Sequence, residues 1–212
     1  MAGCFWAQTP NGNNTVLAAK KKTEHMKQDS LSEKLIRYGY YQLFGNYDYS
    51  IVDRIWAENQ DQIREMPLDN TENPLARFLS LEMIVLKDPD AFLNYQAVLA
   101  EIYLPILSNK GTVNGNIWGL PNQVGKVGEH LLQMKDRVAL VDALELLLDN
   151  NGVLLYEGSR EATLGNQYKY RVKDIAAYYI AKVKGIPFSV YPTPKERDKA
   201  IKSLVDTLKS NK

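Results

Sequence analysis

Asn73-Pro74-Leu75-Ala76-Arg77-Phe78-Leu79-Ser80-Leu81-Glu82-Met83-Ile84-Val85-Leu86-Lys87 is the stretch on which the fold class turns. Asn73 offers a side-chain acceptor to the open amides of a first helical turn. Pro74 suits the first helical position, where its missing amide would have no partner anyway. Leu75, Phe78, Leu79, Met83 and Leu86 then recur at the spacing of one helix face, a broad apolar stripe that asks for cover from other helices. Asp88-Pro89 stops this helix and starts the next.

The same reading extends in both directions. Upstream, Pro67 to Asn70 breaks a helix over 49–65 that carries Ile51, Val52, Ile55, Trp56 and Ile63. Before it, Ser30 and Glu33 have capping-box spacing and open a helix through Leu31, Leu35, Ile36 and Tyr40 to about Phe44, with Gly45-Asn46 as its stop. Downstream, a helix over 89–107 holds Phe92, Leu99, Ile102 and Ile106, and Pro105 kinks or ends it. Shorter helices follow over 124–134 and 136–149, the second dense in leucine and closed by Asn150-Asn151-Gly152. A helix over 170–184 places Val172, Ile175, Ala176, Tyr179, Ile180 and Val183 on one side and ends in Lys182, Lys184 and Gly185, which suit the negative end of the helix dipole and a left-handed cap. Thr193-Pro194-Lys195-Glu196 is a second capping box and starts a last helix with Ile201, Leu204, Val205 and Leu208. Eight helices and no sustained alternating pattern predict an all-α fold of antiparallel helical hairpins.

Composition bounds the function classes. The chain has 212 residues, 26 Lys plus Arg against 25 Asp plus Glu, one cysteine and two histidines. A net charge of +1 lacks the basic excess of a general nucleic-acid binder, so no nucleic-acid partner is expected. One cysteine forbids an internal disulfide and a four-thiolate zinc site, and His25 and His130 lie far apart in sequence, so neither metal nor cofactor is expected. No apolar run reaches the roughly 18 residues of a membrane span.

Residues 1–29, rich in Asn, Thr, Lys and Gln, read as a flexible polar tether, with Lys20-Lys21-Lys22 a solvated run. Residues 30–212 read as a single helical domain. Ala2-Gly3-Cys4 resembles the end of a bacterial lipoprotein signal, where small residues precede the cysteine that takes the lipid. That resemblance implies lipid attachment at Cys4 and a membrane-anchored periplasmic protein if an upstream apolar segment is missing. The competing reading is an amino terminus that happens to carry an exposed cysteine, in a chain that as written stays cytoplasmic.

Asp142-Ala143-Leu144-Glu145-Leu146-Leu147-Leu148-Asp149-Asn150, followed by Tyr170-Arg171-Val172-Lys173-Asp174-Ile175-Ala176-Ala177, resembles the two helices of a HEAT-type repeat. In that family a leucine-rich helix and an acidic turn precede a second helix with paired alanines. Residues 50–65 with Pro74 to Leu79 resemble an earlier, weaker unit. The resemblance implies a short α-solenoid. The interposed 150–169 departs from its tight turn, and a non-repetitive helical bundle fits the same pattern.

Two segments are places where chemistry can sit. Five of the 13 glycines fall between Gly111 and Gly128. The spacing is not that of a phosphate-binding loop: five residues separate Gly119 from Gly125, and Lys126 is followed by Val127 rather than Ser or Thr. An ordered connector pinned by Trp118 is expected instead. The second segment, 150–171, reads as a long polar and aromatic loop, with Val153-Leu154-Leu155-Tyr156 extended at its start. Its Glu157, Arg160, Glu161, Asn166, Tyr168 and Arg171 offer donors, acceptors and stacking faces to a peptide or polar ligand. Structurally, Glu157, Arg160 and Arg171 are expected to pair with one another and pin the loop. Tyr38, Tyr40, Tyr41, Tyr47 and Tyr49 are expected to plug the end of the stack, and His130 to lie at the surface or boundary. No serine sits in a nucleophile elbow.

Two functional readings follow. In the first the protein is a non-enzymatic module that recognises a protein or peptide on the surface beside 111–128 and 150–171. In the second it is an enzyme or small-ligand-binding protein with a pocket between those loops, lined by Trp118, Glu157, Arg160, Asn166 and Arg171. Convergence of those five on a concave pocket separates the readings.

Overall fold

The computed structural model describes residues 29–210 except 110–112, 114 and 159, and the side chains of Arg160 and Glu161 are likewise outside the described set. Cys4 and nearly all of the expected tether therefore lie outside the described residues.

The fold is all-α. Ser30 and Glu33 form the capping box that opens α1 (Leu31–Tyr40), which runs into a π-helical turn over Tyr41–Gly45. The next helices are α2 (Ser50–Glu65), α3 (Pro74–Lys87) and the single turn α4 (Pro89–Phe92). The helix expected over 89–107 is interrupted: a 3-10 stretch, Leu93–Val98, separates α4 from α5 (Leu99–Ser108), which accommodates Pro105. α6 (Lys126–Leu131) and α7 (Arg137–Glu145) follow. α8 (Arg160–Tyr168) leads to α9 (Val172–Lys184), closed by Gly185 in the left-handed conformation, and α10 (Pro194–Ser210) is the last described element. Thr193 and Glu196 make the second capping box.

α3 is the axle of the first half, packed against α1, α2, α4 and α5. Residues Ala76 to Ile84 are buried without interruption, charged members included. Burial on all sides demands partners for Arg77 and Glu82. Arg77 donates to the Pro67 carbonyl through Nε (3.2 Å) and Nη2 (2.9 Å), and to Glu101 through Nη1 (2.6 Å). α5 reaches the second half through α6 and α7, α7 packs on α9, and α10 lies on α9. At the amino-terminal end Tyr40 stacks on Phe78 at 5.8 Å, as a plug would, whereas Tyr41 and Tyr47 stand in solvent.

A two-stranded hairpin, β1 (Gly119–Leu120) and β2 (Gln123–Val124), interrupts the helical pattern. Its tightness selects glycine at 119, where φ is +86° and a Cβ would stand 2.0 Å from the Gln123 carbonyl oxygen.

Candidate functional site

The two segments singled out from the sequence are stitched into one surface. Gly115 donates its amide to the Leu155 carbonyl at 2.6 Å, and Asn116 donates Nδ2 to the Glu157 carbonyl at 2.7 Å. The Tyr156 hydroxyl donates to the Gly119 carbonyl at 2.9 Å. Trp118 pins the connector as expected: its buried ring meets Tyr103 edge-on at 6.4 Å, and its carbonyl accepts the Tyr179 hydroxyl at 2.6 Å. Burial raises the pKa of Tyr179 far above the tyrosine range and that of Tyr156 strongly, so both hydroxyls stay protonated donors.

The chain from 152 to 157 lies against the start of α9. Leu154 donates its amide to the Tyr170 carbonyl at 2.8 Å, Val172 donates to the Gly152 carbonyl at 2.9 Å, and Val153 bridges Arg171. Burial alternates along it. Leu154 and Tyr156 face the core, whereas Val153, Leu155 and Glu157 face outward.

The rest of 150–171 is not the loop the sequence suggested, because Arg160–Tyr168 is α8. Its inner face is made of small residues, Ala162 and Gly165, three apart and both buried. A Cβ at Gly165 would stand 2.3 Å from the Tyr156 ring, so glycine is what lets this helix approach. A polar sequence with two small contact residues carries no apolar stripe, which is why its helical period was hidden.

Among the described residues, Trp118, Glu157, Asn166, Tyr168 and Arg171 do not share a pocket. Trp118 is interior; Glu157 is exposed; Asn166 donates Nδ2 to the Tyr156 carbonyl at 2.9 Å. Tyr168 lies 5.7 Å from Tyr170, ring to ring. The side chains of Arg160 and Glu161 lie outside the described residues. Arg171 does not pair with Glu157 as expected: its Nη2 meets Asp174 at 2.8 Å and Asp198 at 3.0 Å. A hollow of about 180 Å³ lies at the hairpin, lined by Asn116, Gly119, Leu120, Gln123, Val124 and Gly125 without any residue of 150–171. Among the described residues no group of three or more His, Cys, Asp or Glu is placed to hold a metal, and no helix is long and apolar enough to cross a membrane.

Sequence reasoning missed two buried polar clusters. In the first, Arg197 donates Nε to Asp174 at 3.0 Å, Nη1 to the Tyr191 and Pro192 carbonyls, and Nη2 to the Tyr168 carbonyl at 2.9 Å. In the second, Glu82 accepts the Tyr103 hydroxyl at 2.6 Å and lies 2.8 Å from His130 Nδ1. His130 is therefore buried, not a surface or boundary residue. Burial, reinforced by the Glu82 charge and hydrogen bond, raises the Tyr103 pKa far above the tyrosine range. The available signal was position: Arg197 precedes Ile201, Leu204 and Leu208 on one helical stripe, and Glu82 sits between Phe78 and Leu86 on another.

Outward, the surface is apolar in places. Leu155 is 58% exposed and Val153 37%. No family model, curated protein or solved structure matches the chain.

Proposed function

We propose that this protein is a non-enzymatic helical module that recognises a protein or peptide partner on the outward face of 153–157 and the neighbouring connector. The observation that carries this reading is the alternation at 153–157. Its inward residues and main chain are committed to α9 and the connector, while Val153, Leu155 and Glu157 are presented to solvent on a fixed backbone. Exposed large aliphatic side chains on an ordered segment suit the apolar centre of a protein interface. The HEAT-like architecture belongs to the same proposal and is supported by the packing of α7 on α9 and the burial of Ala176 and Ala177. So does lipid attachment at Cys4, which intact mass of the protein from its native membranes tests: a diacylglycerol adduct supports it and an unmodified thiol overturns it.

The module reading is tested by affinity capture from the native source with the wild-type chain and with Leu155→Glu, an exposed substitution that leaves the core untouched. The expected result is a macromolecule enriched reproducibly by the wild type and lost from the variant. No reproducible enrichment, or equal enrichment by both, overturns it.

A further inference from the structure

Between Gly185 and Thr193 the chain runs as Ile186-Pro187-Phe188-Ser189-Val190-Tyr191-Pro192, outside any helix. Burial alternates with the period of a strand: Ile186, Phe188 and Val190 pack on the core, while Pro187, Ser189 and Tyr191 face out. β-branched and aromatic residues at the inward positions fit that conformation. Among the described residues its main chain is hydrogen-bonded only at its ends, the Ile186 amide donating to the Ala181 carbonyl at 2.9 Å and Arg197 to the Tyr191 and Pro192 carbonyls at 3.0 and 2.8 Å. Among the described residues, nothing hydrogen-bonds to the amides of Phe188, Ser189, Val190 or Tyr191. The segment has the burial period of a strand but, among the described residues, no strand beside it.

A groove of about 470 Å³ runs along this segment, with α10 as its other wall, lined by Phe188, Tyr191, Lys199, Ala200 and Leu204 among others. A second hollow of about 220 Å³ meets it at Ile186 and extends to Val141 and Leu208. We propose that this groove is a peptide-binding site in which an extended segment of a partner protein pairs with 188–191 by strand addition. The amides of 188–191 and the carbonyls of 188–190, unpaired among the described residues, supply affinity that does not depend on sequence, and pockets for alternate side chains supply selectivity. Phe188 and Leu204 ask for an apolar residue at alternate positions of the peptide. Glu196 and Lys199 line the groove with opposite charges, which suits a segment without net charge. This inference rests on the module reading but names a different surface from 153–157, so the two fail separately.

The test uses displayed random peptides panned on the full chain, with selected peptides synthesised for binding measurements. Ala200→Arg fills the groove from a partly exposed helical position, and circular dichroism and melting confirm its fold. The expected result is binding weakened about tenfold or more by Ala200→Arg, and by a similar factor when alternate peptide amides are N-methylated, the loss expected for main-chain hydrogen bonds. N-methylation needs no change to the protein, so the proposal stays testable if the variant unfolds. Failure to select any peptide, binding indifferent to both changes, or binding lost in Leu155→Glu and kept in Ala200→Arg overturns strand addition. In the last case the module reading stands. Wild-type self-association abolished by Ala200→Arg assigns the groove to a second copy of the chain and overturns the proposal as well.

Discussion

Arg197 shows how one side chain can hold several segments. Its guanidinium reaches Asp174 at the start of α9, the Tyr168 carbonyl at the end of α8 and the Tyr191 and Pro192 carbonyls before α10, and it lies 5.1 Å from the Tyr170 ring centre. Removing one partner of a buried pair leaves the other charge exposed to a low dielectric. Arg197→Met therefore costs about 3 kcal/mol, toward the low end of that class because Arg171 still holds Asp174. For a chain of this size that corresponds to a fall in melting temperature of roughly 6–12 °C, readable by calorimetry. A loss below about 1 kcal/mol would place the cluster among surface pairs. Asp198 behaves differently. Partial burial pushes its carboxyl pKa up, but hydrogen bonds from Lys173 and Arg171 outweigh that and hold it below the usual aspartate value. A depressed folded pKa contributes stability that is present above the unfolded value, near 3.9, and is lost as pH falls through the folded one. The stability difference between wild type and Asp198→Asn, from urea unfolding, is thus expected to be largest near neutrality and to shrink below about pH 4. A difference constant across that range would contradict the pairing. At this scale the sequence was only partly legible. Caps such as Ser30 with Glu33 are local and could be read. Glu82, His130, Asp174 and Arg197 are chosen by neighbours distant in the chain, and only their places on apolar stripes hinted at burial.

Among the elements, helices with apolar stripes and caps were legible, and α8 was not. Its stability rests on contact between Gly165 and Tyr156, a pairing that no periodicity of large side chains announces. Gly165→Ala is expected to destabilise by about 1–3 kcal/mol through overpacking, despite the higher helix propensity of alanine. Thr163→Ala, at an exposed position of the same helix, should change stability by no more than about 0.5 kcal/mol. Equal effects in chemical denaturation would show that the contact does not limit α8. The connector was legible in kind, because Trp118 pins it, but not in form: a two-residue ladder is too short to show alternation. Val153-Leu154-Leu155-Tyr156 was legible as an extended run, whereas 186–191 escaped for the same reason as the ladder, since six residues of period two look like loop between strong helices.

At the scale of the molecule, one core joins a bundle around α3 to the α7, α9 and α10 layer, and both extended segments lie in the second half. The all-α class was legible because helical period repeats over hundreds of ångströms of contour, whereas the location of a recognition surface depends on which residues the packing leaves outside. Trp118, the most prominent aromatic of the connector, became core; Leu155, an ordinary leucine, became surface. In the proposed function the molecule presents that surface to a macromolecular partner. A photo-crosslinking residue placed at Leu155, with another at exposed Lys182 on α9 as control, tests this most directly in the native source. A discrete adduct of one macromolecule at 155 and none at 182 is expected. No reproducible adduct at 155, or the same adducts at both positions, would contradict it.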